Sequence, residues 1–344
     1  MAQLPDTLRS GIEAYKQRWK RRRLLLRCWR ARRDLVPVAD RTSAIRAGDI
    51  LGFACVRNEG ARLPYFLDHH RRLGVQHFVI VDNGSDDGSA EVLAAMPDVS
   101  LWRASGSYRD SRFGLDWLGA LLLRHGHGHW CLTLDADEIL IYPDWQARGL
   151  RALTQWLDAR GAVAFAAMML DVYPKGPLSV VTHLPGQDPM LALPFFDAGP
   201  YDRSPQKRYG QTDIRGGVRR RVFFADQPAH APHLHKVPLV KWHRRFAYLS
   251  STHIVLPRWL NGGFADAGLP TGVLLHTKFL AQVLPKSAEE KVRRQHFTDV
   301  ERHDPYYDRI LADPDLWYQV SVRYEGWQQV QALGLMQGGD WSEA

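Results

Sequence analysis

The 344-residue sequence predicts an α/β fold: a mostly parallel sheet flanked by helices, with a basic N-terminal helix ahead of it and helices behind it. Three observations lead there. Short apolar runs of strand length alternate with segments of helical periodicity from Ile50 onward. The alternation recurs at short intervals, as in parallel βα units. Two acidic clusters fall at the carboxyl ends of strand candidates, where such sheets bind ligands. With 45% hydrophobic and 24% charged residues, the chain can bury one large core or two modest ones.

A linker over 37–49 precedes the first strand candidate, 50–56, which ends in Arg57-Asn58-Glu59-Gly60. Leu63, Phe66, Leu67, His70 and Leu73 then recur at helical spacing, with Pro64 in the first turn and Gly74 closing the helix. A second strand over 77–81 runs into Asp82-Asn83-Gly84-Ser85-Asp86-Asp87-Gly88-Ser89, a polar turn that opens a helix near Ala90. A third strand (99–103), a helix (112–125) and a fourth strand (130–134) lead directly to Asp135. Beyond Tyr142 the pattern loosens: a helix over 145–159, a strand over 162–170, then a Pro- and Gly-rich stretch to about Gly217, read as a long loop over the site. A strand over 219–224, a His- and Lys-rich segment over 230–253 and two helices, 288–303 and 314–333, complete the chain.

Charge is unevenly placed. Residues 1–46 carry 13 Lys/Arg against 4 Asp/Glu, and the remainder carries 32 against 33, so the net charge of +8 resides in an N-terminal arm. There Leu25, Leu26, Trp29 and Ala31 interleave with arginines. That pattern suits a basic amphipathic helix on an anionic membrane surface, and equally a solvated helix that packs its leucines on the body. Nucleic-acid binding is not expected, because no recognised module follows the arm. Cys28, Cys55 and Cys131 form neither a disulfide framework nor a zinc motif, which fits a reducing, cytoplasmic compartment. No apolar run approaches the length of a membrane span, and no signal-peptide pattern opens the chain.

In Leu132-Thr133-Leu134-Asp135-Ala136-Asp137-Glu138, extended backbone would place Asp135 and Asp137 on one side. Converging carboxylates repel unless a cation compensates, and oxygen ligands favour Mg2+ or Mn2+, which bridge phosphates. An Asp-x-Asp triplet also arises by chance in loops; its place after an apolar strand is what lends it weight. Asp82 likewise ends a strand, suited to a ribose or a base N–H, although Asp-Asn-Gly-Ser is also ordinary turn chemistry. Arg215, Arg219, Arg220, Arg221 and Lys278 are candidates for phosphate contacts, with Gly216-Gly217 allowing close backbone approach.

Three segments, Ala54-Cys55-Val56-Arg57-Asn58-Glu59, Val79 to Ser89 and Leu134-Asp135-Ala136-Asp137-Glu138, resemble in order and spacing the bacterial family 2 glycosyltransferases. Ser251-Thr252-His253, Leu274 to Leu280 and Arg294-Gln295-His296 are similar to a subgroup of that family. The resemblance implies a GT-A (Rossmann-like) fold, a nucleotide-diphosphate-sugar donor and inversion at the anomeric carbon; the basic arm of such a transferase would suit a hydroxyl acceptor on a glycan or glycolipid, in polysaccharide or lipopolysaccharide synthesis at the inner membrane face. Carried over by residue, Asp82 and Asn83 contact the nucleoside, Glu59 lines the base pocket, Asp135 meets the ribose or metal, and Asp137 the metal. His276 is the expected late metal ligand, with a core histidine as its alternative. Arg215 and Lys278 complete the donor site. The general base is expected in Asp171, with Asp213 and His253 behind it. Residues 1–46 then form the arm, 50–285 the catalytic domain (50–140 donor half, 141–285 acceptor half) and 286–344 a helical extension. A metal-dependent nucleotidyltransferase and a catalytically silent, membrane-associated GT-A module are the alternatives. Arg57-Asn58-Glu59-Gly60 lacks the Gly-rich phosphate loop of the first, and the intact acidic clusters weigh against the second.

Overall fold

The computed structural model describes residues 6–293 and 300–343. Its strands are β1 (Leu35–Ala39), β2 (Ile50–Val56), β3 (His77–Asp82), β4 (Val99–Ala104), β5 (Trp130–Thr133), β6 (Glu138–Ile141), β7 (Ala164–Tyr173), β8 (Phe195–Phe196), β9 (Tyr201–Gln206), β10 (Gln211–Gly216), β11 (His235–Lys241), β12 (Ala247–Ser250), β13 (Ile254–Leu256), β14 (Gly272–His276) and β15 (Val322–Arg323). The helices are α1 (Asp6–Ala31), α2 (Leu63–Leu73), α3 (Ser89–Ala95), α4 (Leu115–Leu121), α5 (Leu150–Ala159), α6 (Val283–Arg293), α7 (Val300–Leu311) and α8 (Trp327–Ala332).

The expected α/β architecture is what the chain forms. The central sheet runs β1-β4-β3-β2-β5-β11-β7-β14-β6. Its first half is parallel through β4, β3, β2 and β5. The second half is mixed: β11 is antiparallel to both β5 and β7, whereas β14 runs parallel to β7 and antiparallel to β6. Side chains alternate across the pleat, so Ile50, Ala54, Val56, Phe78 and Ile80 face one core, shared with α2, α3 and α5. Leu51, Phe53, Val79 and Val81 face the other, against Leu115, Trp117, Leu118 and Leu121 of α4. Strands buried on both faces read as the near-continuous apolar runs seen in the sequence.

Several expected boundaries shift. Strand 130–134 stops at Thr133, and Asp135-Ala136-Asp137 forms a turn before β6. The expected strand over 219–224 is a helical turn, Arg219–Phe223. The expected helix over 314–333 shrinks to α8, preceded by the short strand β15. The middle of the chain is not one loop but carries the β9–β10 hairpin. Arg294-Gln295-His296 lies outside the described residues.

The arm is bound to the body, and residues 37–49 are not simply a linker. Leu24 and Cys28 of α1 are buried, and Arg27 pairs with Asp116 of α4 at 2.7 Å and donates to the Asp110 carbonyl at 2.8 Å. The fit is close: a Cβ at Gly119 would lie 2.3 Å from Cys28 Sγ. Burial, followed by the Asp116 charge, pushes the Cys28 thiol up to about 12. β1 then pairs antiparallel with β4 at the sheet edge. Of the two readings of the arm, the packed helix is what the structure contains. Its outer face still exposes Tyr15, Trp19, Leu26 and Trp29. Among the described residues no helix is long and apolar enough to cross a membrane.

Candidate functional site

The parallel register fixes the frame of the site. Asp82 pairs with Val56 at the end of β2, and Leu134 N–H donates to Phe53 O on the other flank of the same strand. The acids at the ends of β3 and β5 therefore sit on either side of β2, about 10 Å apart at two strand spacings. The loops that follow are laced together. Asn58 N–H donates to Ser85 Oγ at 3.0 Å, Gly60 N–H to Asp87 Oδ2 at 2.9 Å, and Asp86 N–H to Asn58 Oδ1 at 2.9 Å.

Within this frame Asp82 and Asn83 build the loop. Asp82 is 1% exposed and accepts Gly84 N–H at 3.2 Å and Ser85 N–H at 3.2 Å, closing its own turn. Asn83 Nδ2 donates to the Ala104 and Gly106 carbonyls at 2.9 and 3.2 Å. Glu59 pairs with Arg62 at 2.8 Å and with Lys286.

The acidic turn is organised by three neighbouring strands. Pairing β14 between β7 and β6 sets His276 opposite Asp171 on one side and opposite Glu138 on the other. Thr277 reaches back: its N–H donates to the Asp137 carbonyl at 2.7 Å and its hydroxyl to the same oxygen at 3.1 Å. A row of charges results. Asp137 Oδ2 lies 3.2 Å from His276 Nε2, His276 Nδ1 donates to Asp171 Oδ1 at 2.6 Å, and Arg219 Nε donates to Asp171 Oδ2 at 2.8 Å. Burial pushes Asp137 up, but His276, then Arg62 and Lys278, hold it well below the carboxylate range. His276 moves up: burial lowers it, and Asp137 and Asp171 outweigh burial.

Asp135 turns elsewhere. Its side chain is half exposed and accepts from Lys236 Nζ at 3.1 Å; the same ammonium bonds the fully buried Glu138. Glu138 Oε2 in turn accepts Asp135 N–H at 3.2 Å, closing the turn. Burial raises Glu138 to about 7 against the pull of Lys236. The two aspartates therefore do not share one face of a strand: the turn sends Asp135 to β11 and Asp137 to β14.

Residues expected from the sequence distribute unevenly over this geometry. Asp137 and His276 come together, with Asp171 behind them. Asp171, the expected base, is 4% exposed with one oxygen bonded to His276 and the other to Arg219. Burial would raise its carboxyl, but Arg219 and His276 hold it low. The arginines proposed for phosphate contacts are paired inside the protein: Arg215 with Asp213, Arg219 with Asp171, Arg220 with Asp202 and Arg221 with Asp197. Lys278 remains beside the acidic turn, lowered chiefly by burial while Asp137 raises it. Asp213 and His253 belong to a separate histidine cluster, with rings of His233, His235 and His253 within 5.5 to 6.2 Å of one another. Burial lowers His235 to about 4. Sequence reading missed Lys236 and Arg62. The alternation Lys236-Val237-Pro238-Leu239-Val240 marks a strand with one buried lysine, but only tertiary structure supplies its partners.

The donor set suits a hard or borderline divalent cation. One carboxylate oxygen and one imidazole nitrogen stand 3.2 Å apart, and the far nitrogen of that ring is anchored by a buried carboxylate, the arrangement found behind metal-bound histidines. Asp135 is the exposed acid of the same turn.

No protein-family model matches the chain. Over 96 residues it is 31% identical to a glycosyltransferase family 92 protein of Oryza sativa subsp. japonica, a stretch that is 26% of this chain and 15% of that protein. That relative belongs to family 92 rather than to family 2, which the motifs resemble. The chain also aligns with the solved structure of 4-diphosphocytidyl-2C-methyl-D-erythritol synthase at 20% identity and a TM-score of 0.27, over 39% of this chain and 65% of the other.

Proposed function

We propose that the protein is a metal-dependent glycosyltransferase that takes a sugar from a nucleotide-diphosphate donor and passes it to a hydroxyl of a glycan or glycolipid. The carrying observation is the Asp137–His276–Asp171 row in the mixed half of the sheet, in the same turn as the exposed Asp135. Local similarity to a family 92 glycosyltransferase and the family 2-like order of the three motifs support the same reading.

Asp137 and His276 would hold Mn2+ or Mg2+, while Asp135, the half-exposed acid of the same turn, bonds Lys236. Bound there, such a cation supplies Lewis-acid stabilisation of the charge on a departing diphosphate. The rest is done by the chain. Asp171 holds Nδ1–H of His276, so that a bound cation would take the place of the proton on Nε2, the nitrogen 3.2 Å from Asp137. Lys278 brings positive charge to the phosphate side of the turn. Asp82 acts through the loop it closes, presenting the backbone of Gly84 and Ser85 beside β2.

Purified protein offered a panel of UDP-, GDP- and dTDP-sugars with Mn2+ should release nucleoside diphosphate from one of them. Chelator and Asp137→Ala should both abolish release. No release from any donor, or release unaffected by chelator and by the mutation, overturns the proposal. Inorganic diphosphate released from a nucleoside triphosphate offered with a sugar 1-phosphate would assign nucleotidyl transfer instead.

A peripheral contact with an anionic inner-membrane face is part of the proposal, and rests on Tyr15, Trp19 and Trp29 standing exposed among the arginines of α1. Because α1 also carries core side chains, truncation is the wrong test. Trp19→Ser with Trp29→Ser should reduce co-sedimentation with phosphatidylglycerol vesicles and leave the unfolding temperature unchanged. Equal binding by the variant sinks this contact.

A further inference from the structure

Away from the acidic turn, a second group of metal-ligating side chains gathers where the β9–β10 hairpin meets the start of β11. Asp213 in β10, His233 just ahead of β11, and His235 at its first position each bring a ligand atom to within 4.8 Å of the others. Local backbone pairing causes this. Leu234 N–H donates to Ile214 O at 2.8 Å, so the residues on either side of Leu234 project together toward the neighbour of Ile214. His233 Nδ1 bonds Asp213 Oδ1, and His235 Nδ1 stands 3.4 Å from the same oxygen.

His235 is the telling member. It is 2% exposed, and neither ring nitrogen has a hydrogen-bond partner. An imidazole buried without partners forfeits about 1–3 kcal/mol of solvation that nothing in the protein returns. A cation on its lone pair would satisfy one of the two nitrogens.

We propose that Asp213, His233 and His235 form a zinc site, separate from the acidic turn. Two imidazoles and one carboxylate are ligands typical of zinc, whereas Mg2+ prefers oxygen alone. Tetrahedral zinc with bonds of about 2.1 Å places its ligand atoms about 3.4 Å apart, which matches the spacing of His235 and Asp213. The surroundings are already set. His253 Nδ1 donates to the His235 carbonyl at 2.6 Å, and Arg215, anchored on the Ala229 and Ala231 carbonyls, bonds Asp213 through its other oxygen, Oδ2. Zinc here ties the β9–β10 hairpin to the strand whose next residue is Lys236, the cation that pairs with Asp135 and Glu138. Along β7 the pairing positions of His235 and His276, Met168 and Asp171, are three residues apart, roughly 10 Å, so the two sites are distinct.

The test is metal content of the full chain after incubation with Zn2+ and desalting, measured by plasma mass spectrometry for wild type, Asp137→Ala, His233→Ala and Asp213→Asn. About one zinc per chain should remain on wild type and on Asp137→Ala. His233→Ala and Asp213→Asn should bind at least ~10-fold more weakly in competition with a chromophoric chelator. Co2+ should give a tetrahedral d–d band that His233→Ala lacks. Because His233 is half exposed, that variant should unfold in chelator at the wild-type temperature, which separates ligand loss from misfolding. Zinc retained by both ligand variants, zinc lost from Asp137→Ala alone, or no zinc on wild type overturns the site. No sugar donor enters the assay, so the outcome is independent of the proposed reaction.

Discussion

Replacing Lys236 with methionine removes a buried ammonium whose two partners respond differently. Asp135, with half its side chain in solvent, can rehydrate; Glu138, wholly buried, cannot. Breaking one half of a buried pair costs about 3–5 kcal/mol, because the remaining charge is stranded or must take up a proton. Burial raises Glu138 to about 7 even beside the lysine, so loss of that cation pushes the carboxyl further toward its neutral form and the turn loses its ionic closure. With unfolding entropy near 2.1 cal/mol/K per residue, 3–5 kcal/mol corresponds to a fall in melting temperature of roughly 4–7 °C for a chain of this size. Differential scanning calorimetry at pH 7.5 reads this directly. Adding Glu138→Leu to Lys236→Met leaves an apolar pair of similar volume, and should recover most of the loss. An unchanged melting temperature in the single variant, or a double variant no better than the single, refutes the account of Lys236 as the counter-charge of Glu138.

Further outcomes follow from other contacts. Asp171→Asn keeps the size of the side chain but removes the charge anchoring His276, and should weaken Mn2+ binding by about 10–100-fold in a fluorescence titration, with little change in secondary structure. Acid should loosen the junction of α2 and β6. Burial holds His69 at about 4 and His70 well below its ordinary value, so between pH 6.5 and about 4 the unfolded chain binds protons the native one refuses. Stability therefore falls as pH falls, by about 1.4 kcal/mol per pH unit for each ring. In urea unfolding across pH 7 to 5, His69→Gln should flatten the slope by about that amount; an unaltered slope excludes His69 as a source. Gly119→Ala should destabilise the chain by about 1–3 kcal/mol through its clash with Cys28, and Cys28→Ala in the same chain should relieve it. Equal melting temperatures for Gly119→Ala and wild type would show that α1 is not seated as described.

The features legible in the sequence were those carried by local periodicity. Apolar runs at Ile50 and His77 and the acids at Asp82 and Asp135 announce strands and strand ends, because each strand is buried on both faces by helices close in sequence. The nearness of His276 to Asp137 was legible through a resemblance to a family pattern. What stayed hidden depends on distant segments. Lys236 meets Glu138 across 98 positions, and nothing near either residue encodes the meeting. Arg219, Arg220 and Arg221 looked like a basic strand; a helical turn instead sends them to three different carboxylates. Leu24 and Cys28 fit membrane or core equally well by pattern, and the small Gly119 that admits Cys28 lies 91 residues further on.

The insertion of β14 between β7 and β6 has a consequence for the order of assembly. Asp137 and Thr277 are 140 residues apart in the chain, so the imidazole reaches the acidic turn only after the intervening strands have been placed. Contacts of such long range close late, after their loop entropy has been overcome by the rest of the sheet. A fragment of residues 1–141 keeps both aspartates and Arg62 yet lacks Lys236, His276 and Thr277, leaving Asp135 and Glu138 without their lysine and Asp137 without its imidazole and clasp. If the acidic turn binds Mn2+ as proposed, its uptake during refolding would time the placement of β14 rather than of the first strands.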